Sequence, residues 1–328
     1  VYLAEAPRIE LYGFATHGST HRKTGEKNMI VITGASGQTG HVTAEILLAR
    51  GQKVRVLGRS AAKLAPLVAK GAEPRIFDIH DEVALTDAFK GADAVYALNP
   101  PDITNEDVIG HYDRNSEALV AAIKGSGVKH VVTLSSVGAQ LQEGSGPVLG
   151  LHRMEEKINT IRHLNVLHLR PSYFMENTLA QIGVIQKFGA VGGIIKGDLK
   201  FPMIATKDIG AVAADALELR DFAGISTREL LGPRDVSMNE VAKIIGAGIG
   251  KPGLSYMEAP VPMFVMGLRQ AGMSANMAEL LAEMSLSTNT GVFKGEEARS
   301  ARNTTPTTYE TFVAEVFAPA FRGKAVSA

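Results

Sequence analysis

Hydrophobic positions in this chain cluster into short continuous runs rather than alternating with polar ones. Apolar, β-branched stretches occur at Met29 to Thr33, Lys53 to Leu57, Pro74 to Phe77, Ala94 to Leu98, His130 to Leu134 and Val166 to Leu169. Such runs predict strands covered on both faces, because a sheet with one wet face would alternate. Helical stretches with agreeing start and stop signals lie between them. His41 to Arg50 ends on Gly51, Ala61 to Lys70 follows Ser60 and ends on Gly71, and Glu82 to Lys90 follows Asp81 and ends on Gly91. Six strands joined by crossovers predict an α/β fold with a doubly wound parallel sheet, which binds ligands beyond the carboxyl ends of its strands.

The loops at those ends carry the candidate chemistry. "VITGASGQTG", residues 31 to 40, places Gly34, Gly37 and Gly40 between a strand and a helix. In a dinucleotide-binding (Rossmann) turn the first glycine allows the tight bend, the second lets backbone approach a pyrophosphate, and the third lets helix and strand pack closely. A glycine-rich turn without a ligand is the competing reading. Ser36, Gln38 and Thr39 add hydroxyl and amide donors at the same helix start. The second strand runs into Arg59, with Lys63 one turn later, where an NAD site usually carries a carboxylate for the ribose 2′-hydroxyl. A guanidinium there grips a 2′-phosphate instead, so NADP(H) is expected over NAD(H); a solvated surface arginine is the alternative. Further along, Asp78 and Ile79 fall where the adenine would lie, although Asp78 also suits a helix cap. Leu98, Asn99 and Pro100 are expected to line the cofactor, and Ser135 and Ser136 to emerge at its nicotinamide end, unless they are satisfied turn serines.

Composition narrows the choice. The 328 residues, 45% hydrophobic, are enough for a full core in one large domain or two coupled ones. Basic and acidic residues balance at 34 each, so no global field draws the chain to nucleic acid or an anionic membrane. No apolar run reaches the ~18 residues of a membrane helix. Cysteine is absent, which excludes disulfides and thiolate chemistry and is compatible with a cytoplasmic location. No metal site is read from the nine histidines, and no GxSxG hydrolase elbow occurs. Residues 1–28 read as a leader or expression remnant outside the fold, or as an arm packed on the body. Residues 29–165 read as the dinucleotide-binding domain and 166–328 as a smaller α/β substrate lobe with returning sheet segments.

Taken in order, "MIVITGASGQTG", the Arg59 strand, "HVVTLSSVGA", "LHRMEEKI", "LRPSYFMEN" and "FPMIATKDIGAVAADAL" resemble the NmrA-like branch of atypical short-chain dehydrogenases, from Met29 to about Ala314. Within that branch the chain is most similar to NADPH-using quinone oxidoreductases and triphenylmethane-dye reductases, and more distantly to NmrA itself, a dinucleotide-binding regulator. It departs from the wider superfamily at one position. A typical member has Tyr four residues before Lys on the helix after the fifth strand, whereas Arg153 precedes Lys157 here. The resemblance implies that Lys157 still holds the nicotinamide ribose, while the usual proton donor is missing. Glu155 and Glu156 are expected to face solvent.

Without that acid, hydride transfer to a quinone is favoured over reduction of a simple ketone, because positioning supplies much of the rate and the reduced oxygens can take protons from water. Tyr173 is a candidate substitute donor. His152 is a second candidate donor, and His152, Tyr173, Phe174 and Asn177 are candidate substrate contacts, with aromatic packing and a structural histidine as the plainer readings. The partner expected is a small-molecule electron acceptor, and a homodimer is compatible with the sequence. A regulator that senses NADP(H) without turnover is the second function class. In the second half, Thr206 or Asp208 starts a helix, Ser237 and Glu240 have capping-box spacing, and Met263, Phe264, Met266 and Leu268 read as core or as a plastic wall over a flat acceptor.

Overall fold

The computed structural model describes residues 28–323. The expectation for the first 28 positions therefore lies outside the described residues except at Asn28. That residue is pinned to the body: its carbonyl accepts from Lys53 N at 3.1 Å and its side-chain oxygen from Arg220 at 3.0 Å.

The first part of the chain is β1 (Met29–Ile32), α1 (Gln38–Ala49), β2 (Lys53–Gly58), α2 (Ala61–Ala69), β3 (Glu73–Ile76), α3 (Glu82–Phe89), β4 (Ala94–Leu98), α4 (Val108–Ser126), β5 (His130–Leu134), α5 (Leu149–Asn159) and β6 (Asn165–Pro171). The second comprises β7 (Tyr173–Phe174), α6 (Gln181–Phe188), β8 (Val191–Gly193), β9 (Lys200–Ile204), α7 (Thr206–Leu219), β10 (Ile225–Leu230), β11 (Asp235–Ser237), α8 (Met238–Ile249), β12 (Tyr256–Glu258), α9 (Val261–Gln270), α10 (Ala275–Asn289), α11 (Tyr309–Phe312) and α12 (Ala318–Phe321).

Seven parallel strands form the main sheet in the order β10-β6-β5-β4-β1-β2-β3. Chain direction across the sheet reverses between β1 and β4, which opens a crevice at their carboxyl ends. The six expected strands are all present. The seventh, β10, was not expected, because "ISTREL" alternates polar and apolar residues; it lies at the sheet edge, where one side needs no continuous apolar run. Helix α1 starts at Gln38 rather than His41, since Gly40 in its first turn weakens the local helical signal.

Each face of the sheet has its own core. Ile30, Ile32, Val54, Val56 and Tyr96 pack with Leu47 of α1, Leu64 of α2 and Ile209 of α7 on one side; Val31, Val95 and Val131 pack with Phe89, Leu119 and Met154 on the other. A third cluster, built on Met203, Val236, Val241, Ile245, Phe312 and Phe317, is the core of the smaller lobe. The chain passes between these regions repeatedly: β6 and β10 belong to the main sheet and α7 packs on it, although they lie in sequence from residue 165 onward. Ser60, Asp81 and Ser237 cap α2, α3 and α8, and the Ser237/Glu240 capping box is complete. Helix α9 buries none of its residues, so the core reading of its methionine stripe is corrected: Met263 and Met266 are 58% and 52% exposed.

A buried histidine links β5, β6 and α5. His168, fully enclosed, donates from Nε2 to Asn159 Oδ1 at 2.9 Å and receives the Thr133 hydroxyl at Nδ1 at 2.8 Å, the neutral tautomer that satisfies both partners. Desolvation pushes its pKa down from 6.5 to about 4. Within that window the unfolded chain takes up a proton that the folded one refuses, so stability falls as pH falls. Urea titrations should show His168 removing about 2 kcal/mol between neutral pH and about pH 5. That part of the slope should vanish in His168→Gln; an identical slope in the variant would show that other groups carry it.

Candidate functional site

The turn after β1 is built by close backbone contacts. Gly34 lies in the left-handed region at φ +61°, and its carbonyl accepts the Gly37 N–H at 2.9 Å. A Cβ on Gly40 would come 2.5 Å from the same carbonyl oxygen, and one on Gly34 would meet Leu98 Cδ2 at 2.9 Å. Only glycine fits at both places. Helix α1 begins at this turn with no side-chain cap and no acid in its first turn, while Ser36, Gly37 and Gln38 are exposed. The first N–H groups of the helix thus face an open, positively polarised cradle suited to a diphosphate. Thr39 is buried, its hydroxyl 3.5 Å from that of Tyr96.

Thr33, which the sequence reading passed over, locks this turn to β4. Its hydroxyl lies 3.0 Å from Tyr96 O and 3.2 Å from Leu98 O and accepts Leu98 N–H at 2.7 Å. Leu98 is thereby held against Gly34. Asn99 is different: its amide donates to Tyr112 O and Ser116 Oγ at 2.9 and 3.0 Å, and its oxygen accepts from Asn115 at 2.8 Å. Its side chain is committed to α4, leaving only its backbone at the crevice. Pro100 is half-buried beside it, its carbonyl facing His111 and Asn115.

Arg59 follows directly on β2, is exposed, and makes no hydrogen bond or ion pair among the described residues. Lys63 is likewise exposed in the first turn of α2. Asp78 is not a helix cap, a role taken by Asp81. Its carboxylate accepts the His80 N–H at 3.0 Å and faces the His80 ring at 2.8 Å; these bonds and the Arg59 charge hold its pKa below the usual carboxylate range against a small desolvation. Ile79 is half-buried against the core on the α3/α4 face.

On the other side of the crevice two expectations change. Lys157 is tied to α4, with its ammonium 2.9 Å from Asp113 Oδ1 and 3.2 Å from Glu117 Oε1, while Arg153 takes the second Asp113 oxygen at 2.8 Å. Complementary charges on facing helices thus hold both residues, which makes Lys157 a helix-to-helix tie in this structure. Glu156 is exposed as expected, but Glu155 is buried. It accepts the Ser135 hydroxyl and both arms of Arg170, at 3.0 and 2.6 Å. The signal was present in the helix period, since Met154, Glu155 and Ile158 share the buried face of α5; the run of charges hid it.

His152 donates from Nδ1 to Ala139 O at 2.8 Å, which fastens the β5–α5 loop. Tyr173 and Phe174 point to opposite sides of β7. Tyr173 stacks edge-on with Phe201, 5.6 Å between ring centres, against the lobe core; Phe174 packs into the same cluster as Leu98 and Leu134 at the strand ends. Desolvation pushes the Tyr173 phenol up to about 12, so it is protonated at neutral pH, and its hydroxyl has no hydrogen bond among the described residues. Asn177 is exposed. Between them, Glu176 accepts the Thr206 N–H and hydroxyl at 3.0 and 2.7 Å, capping α7 from outside.

Sheet order, glycine turn and uncapped helix give a Rossmann-type dinucleotide-binding domain. The chain belongs to the NmrA-like family, whose pattern matches residues 26–313. It is similar to quinone oxidoreductase 2 of Escherichia coli (strain K12), with 27% identity over 268 residues spanning 80% of this chain and 89% of that protein. An NAD(P)H azoreductase of Xenophilus azovorans is 26% identical over 258 residues, 78% of this chain and 86% of its own length. Among solved structures, the NADPH-dependent quinone oxidoreductase from Escherichia coli complexed with NADPH has a TM-score of 0.74 at 25% identity and covers 88% of this chain and 100% of that one.

Because the Gly34 carbonyl leaves no room for a methyl group, Gly40→Ala must push α1 away from β1. We expect a loss of about 2–4 kcal/mol in denaturant titration. A change within about 0.5 kcal/mol would mean the turn relaxes freely.

Proposed function

We propose that this protein is an NADPH-dependent oxidoreductase that delivers hydride to a quinone or similar conjugated acceptor. The observation that carries the reading is the pairing of an open α1 N-terminus with an unengaged arginine at the end of β2. The cradle fits a diphosphate because its glycines leave room that a Cβ would fill, and Arg59 fits a 2′-phosphate because it is free to fork onto one. Similarity to an NAD(P)H azoreductase and to an NADPH-dependent quinone oxidoreductase supports the same assignment.

NADPH supplies the hydride when bound; the protein binds and orients. In this reading the Gly34–Gly40 turn and the N–H groups of α1 hold the diphosphate, Arg59 and Lys63 the 2′-phosphate, and Asp78 and Ile79 flank the adenine. Leu98, Pro100 and Ser135 border the nicotinamide half. Phe174, on the strand-end cluster, and exposed Asn177 border the acceptor. Position 153 carries an arginine bound to Asp113, so no acid stands where a ketone reductase needs one. A quinone tolerates that lack, since its reduced form is aromatic and can be protonated by water. Tyr173 is the nearby protonated phenol that could serve instead.

The direct test follows loss of NADPH absorbance with purified protein and a small soluble quinone. Saturable oxidation is expected; confirmed NADPH binding with no turnover would favour a sensor. Arg59→Ala should weaken NADPH by about tenfold or more, consistent with loss of a charge-assisted bond, and leave NADH nearly unchanged. Equal losses for both would remove the 2′-phosphate assignment.

A further inference from the structure

We infer that Glu155, held by Arg170, is a positioning residue that makes the Ser135 hydroxyl an acceptor for the carboxamide N–H of the nicotinamide. The inference rests on the nucleotide-binding reading above, but not on the identity of the acceptor.

Ser135 follows β5 directly, beside the Leu98/Leu134 pair at the strand ends, and its backbone N–H is fixed on Leu169 O at 2.8 Å. A serine hydroxyl has one proton and can ordinarily rotate to give it to either of two neighbours. Here it cannot. The Glu155 carboxylate only accepts, and it is buried, 4% exposed, with both oxygens gripped by the Arg170 guanidinium. Arg170 is itself anchored, with Glu296 3.7 Å from its other amino group. The Ser135 proton is therefore directed at Glu155, and the lone pairs of its oxygen face away from the ion pair. Ser136 offers no substitute, since its hydroxyl donates to Val137 O at 2.8 Å.

Ser135 is itself buried at the end of β5, 3% exposed, and an acceptor-only oxygen there would discriminate between the two ligands of a reductase. A quinone presents carbonyl oxygens, which it repels. The nicotinamide carboxamide presents an NH2 group, which it can bind, fixing the ring rotation and hence the face from which hydride leaves. A pair serving only to brace α5 against β6 would need Glu155 and Arg170 but not the serine. Removing two charges from water is a poor source of stability, whereas using them to define a third group's polarity gives the pair a role.

The test is a binding measurement that needs no turnover. NADP+ and its 3-acetylpyridine analogue, in which a methyl ketone replaces the carboxamide and the N–H donor is lost, are titrated calorimetrically into the full chain. The wild type should prefer NADP+ by about five- to tenfold, the value of one hydrogen bond. Ser135→Ala and the near-isosteric Ser135→Cys should bring the ratio close to unity. Glu155→Gln should compress it as well, although Ser135 is intact, because an amide no longer dictates the hydroxyl's direction. An unchanged ratio in the folded variants overturns the proposal, as does an equal weakening of both ligands, the mark of a merely structural role. If Glu155→Gln does not fold, the two Ser135 variants decide. Absence of NADP+ binding in the wild type sinks both this inference and the functional reading; the expected ratios without quinone turnover uphold the positioning role and remove only the quinone.

Discussion

The contact between Gly40 and the Gly34 carbonyl is the constraint on which the site depends. Because neither residue has a side chain there, α1 starts almost against the end of β1, and its uncapped N–H groups are turned to the crevice. The same closeness propagates along the helix. α1 meets α7 where Gly210 must lack a Cβ, since Val42 Cγ1 would stand 2.7 Å from it, and the Thr43 hydroxyl reaches Gly210 O at 3.3 Å. α7 begins on Glu176, which belongs to the segment carrying Tyr173 and Phe174. One continuous set of close contacts therefore connects the nucleotide turn to the candidate acceptor side, and a shift of α1 would be felt at both.

What was legible in the sequence follows from how local each signal is. The six core strands announced themselves because strands buried on both faces need unbroken apolar runs. The turn was legible because its glycines answer to backbone geometry within ten residues. The edge strand β10 was not, for its pattern reflects what covers it rather than what it is. Side-chain direction was the weaker inference throughout. Asn99 stands where a cofactor contact was expected but spends its polar atoms on α4, and Lys157 faces two acids 40 and 44 residues earlier in the chain. Such partners are set by how helices pack across the sheet, which spacing along one helix cannot reveal.

Glu155 shows the converse. Charged neighbours in "MEEKI" suggested a wet face, yet the helix period places Met154, Glu155 and Ile158 together on the dry one. A carboxylate is tolerated there because Arg170, on the adjacent β6, provides both charge and geometry. Desolvation opposes the arginine's charge, but the hydrogen bonds to Glu155 together with the charges of Glu155, Glu296 and Glu229 keep its pKa above the ordinary value. The pair thus belongs to the ends of β5 and β6, where the sheet stops being apolar and the crevice begins.

That rim is completed by distant chain. Glu229, at the end of β10, accepts the N–H groups of Glu296 and Glu297 at 2.7 and 3.0 Å, and a Cβ on Gly295 would stand 2.4 Å from its carboxylate. Just before this turn, Phe293 packs on Gly138, whose φ of +89° and missing side chain admit the ring. Residues 293–297 therefore lie over the β5 loop and bring Glu296 to Arg170. A short-chain dehydrogenase helix ordinarily supplies its polar groups to the crevice from a single Tyr-Lys turn. In this chain that turn is drawn to α4 by Asp113 and Glu117, and the polar groups at the end of β5 come from α5, β6 and the segment after α10. Reduction of an acceptor that needs no dedicated acid is the chemistry most compatible with that exchange, because Arg153 and Lys157 are held on α4 and the polar groups left at the end of β5 are Ser135, Glu155 and Arg170.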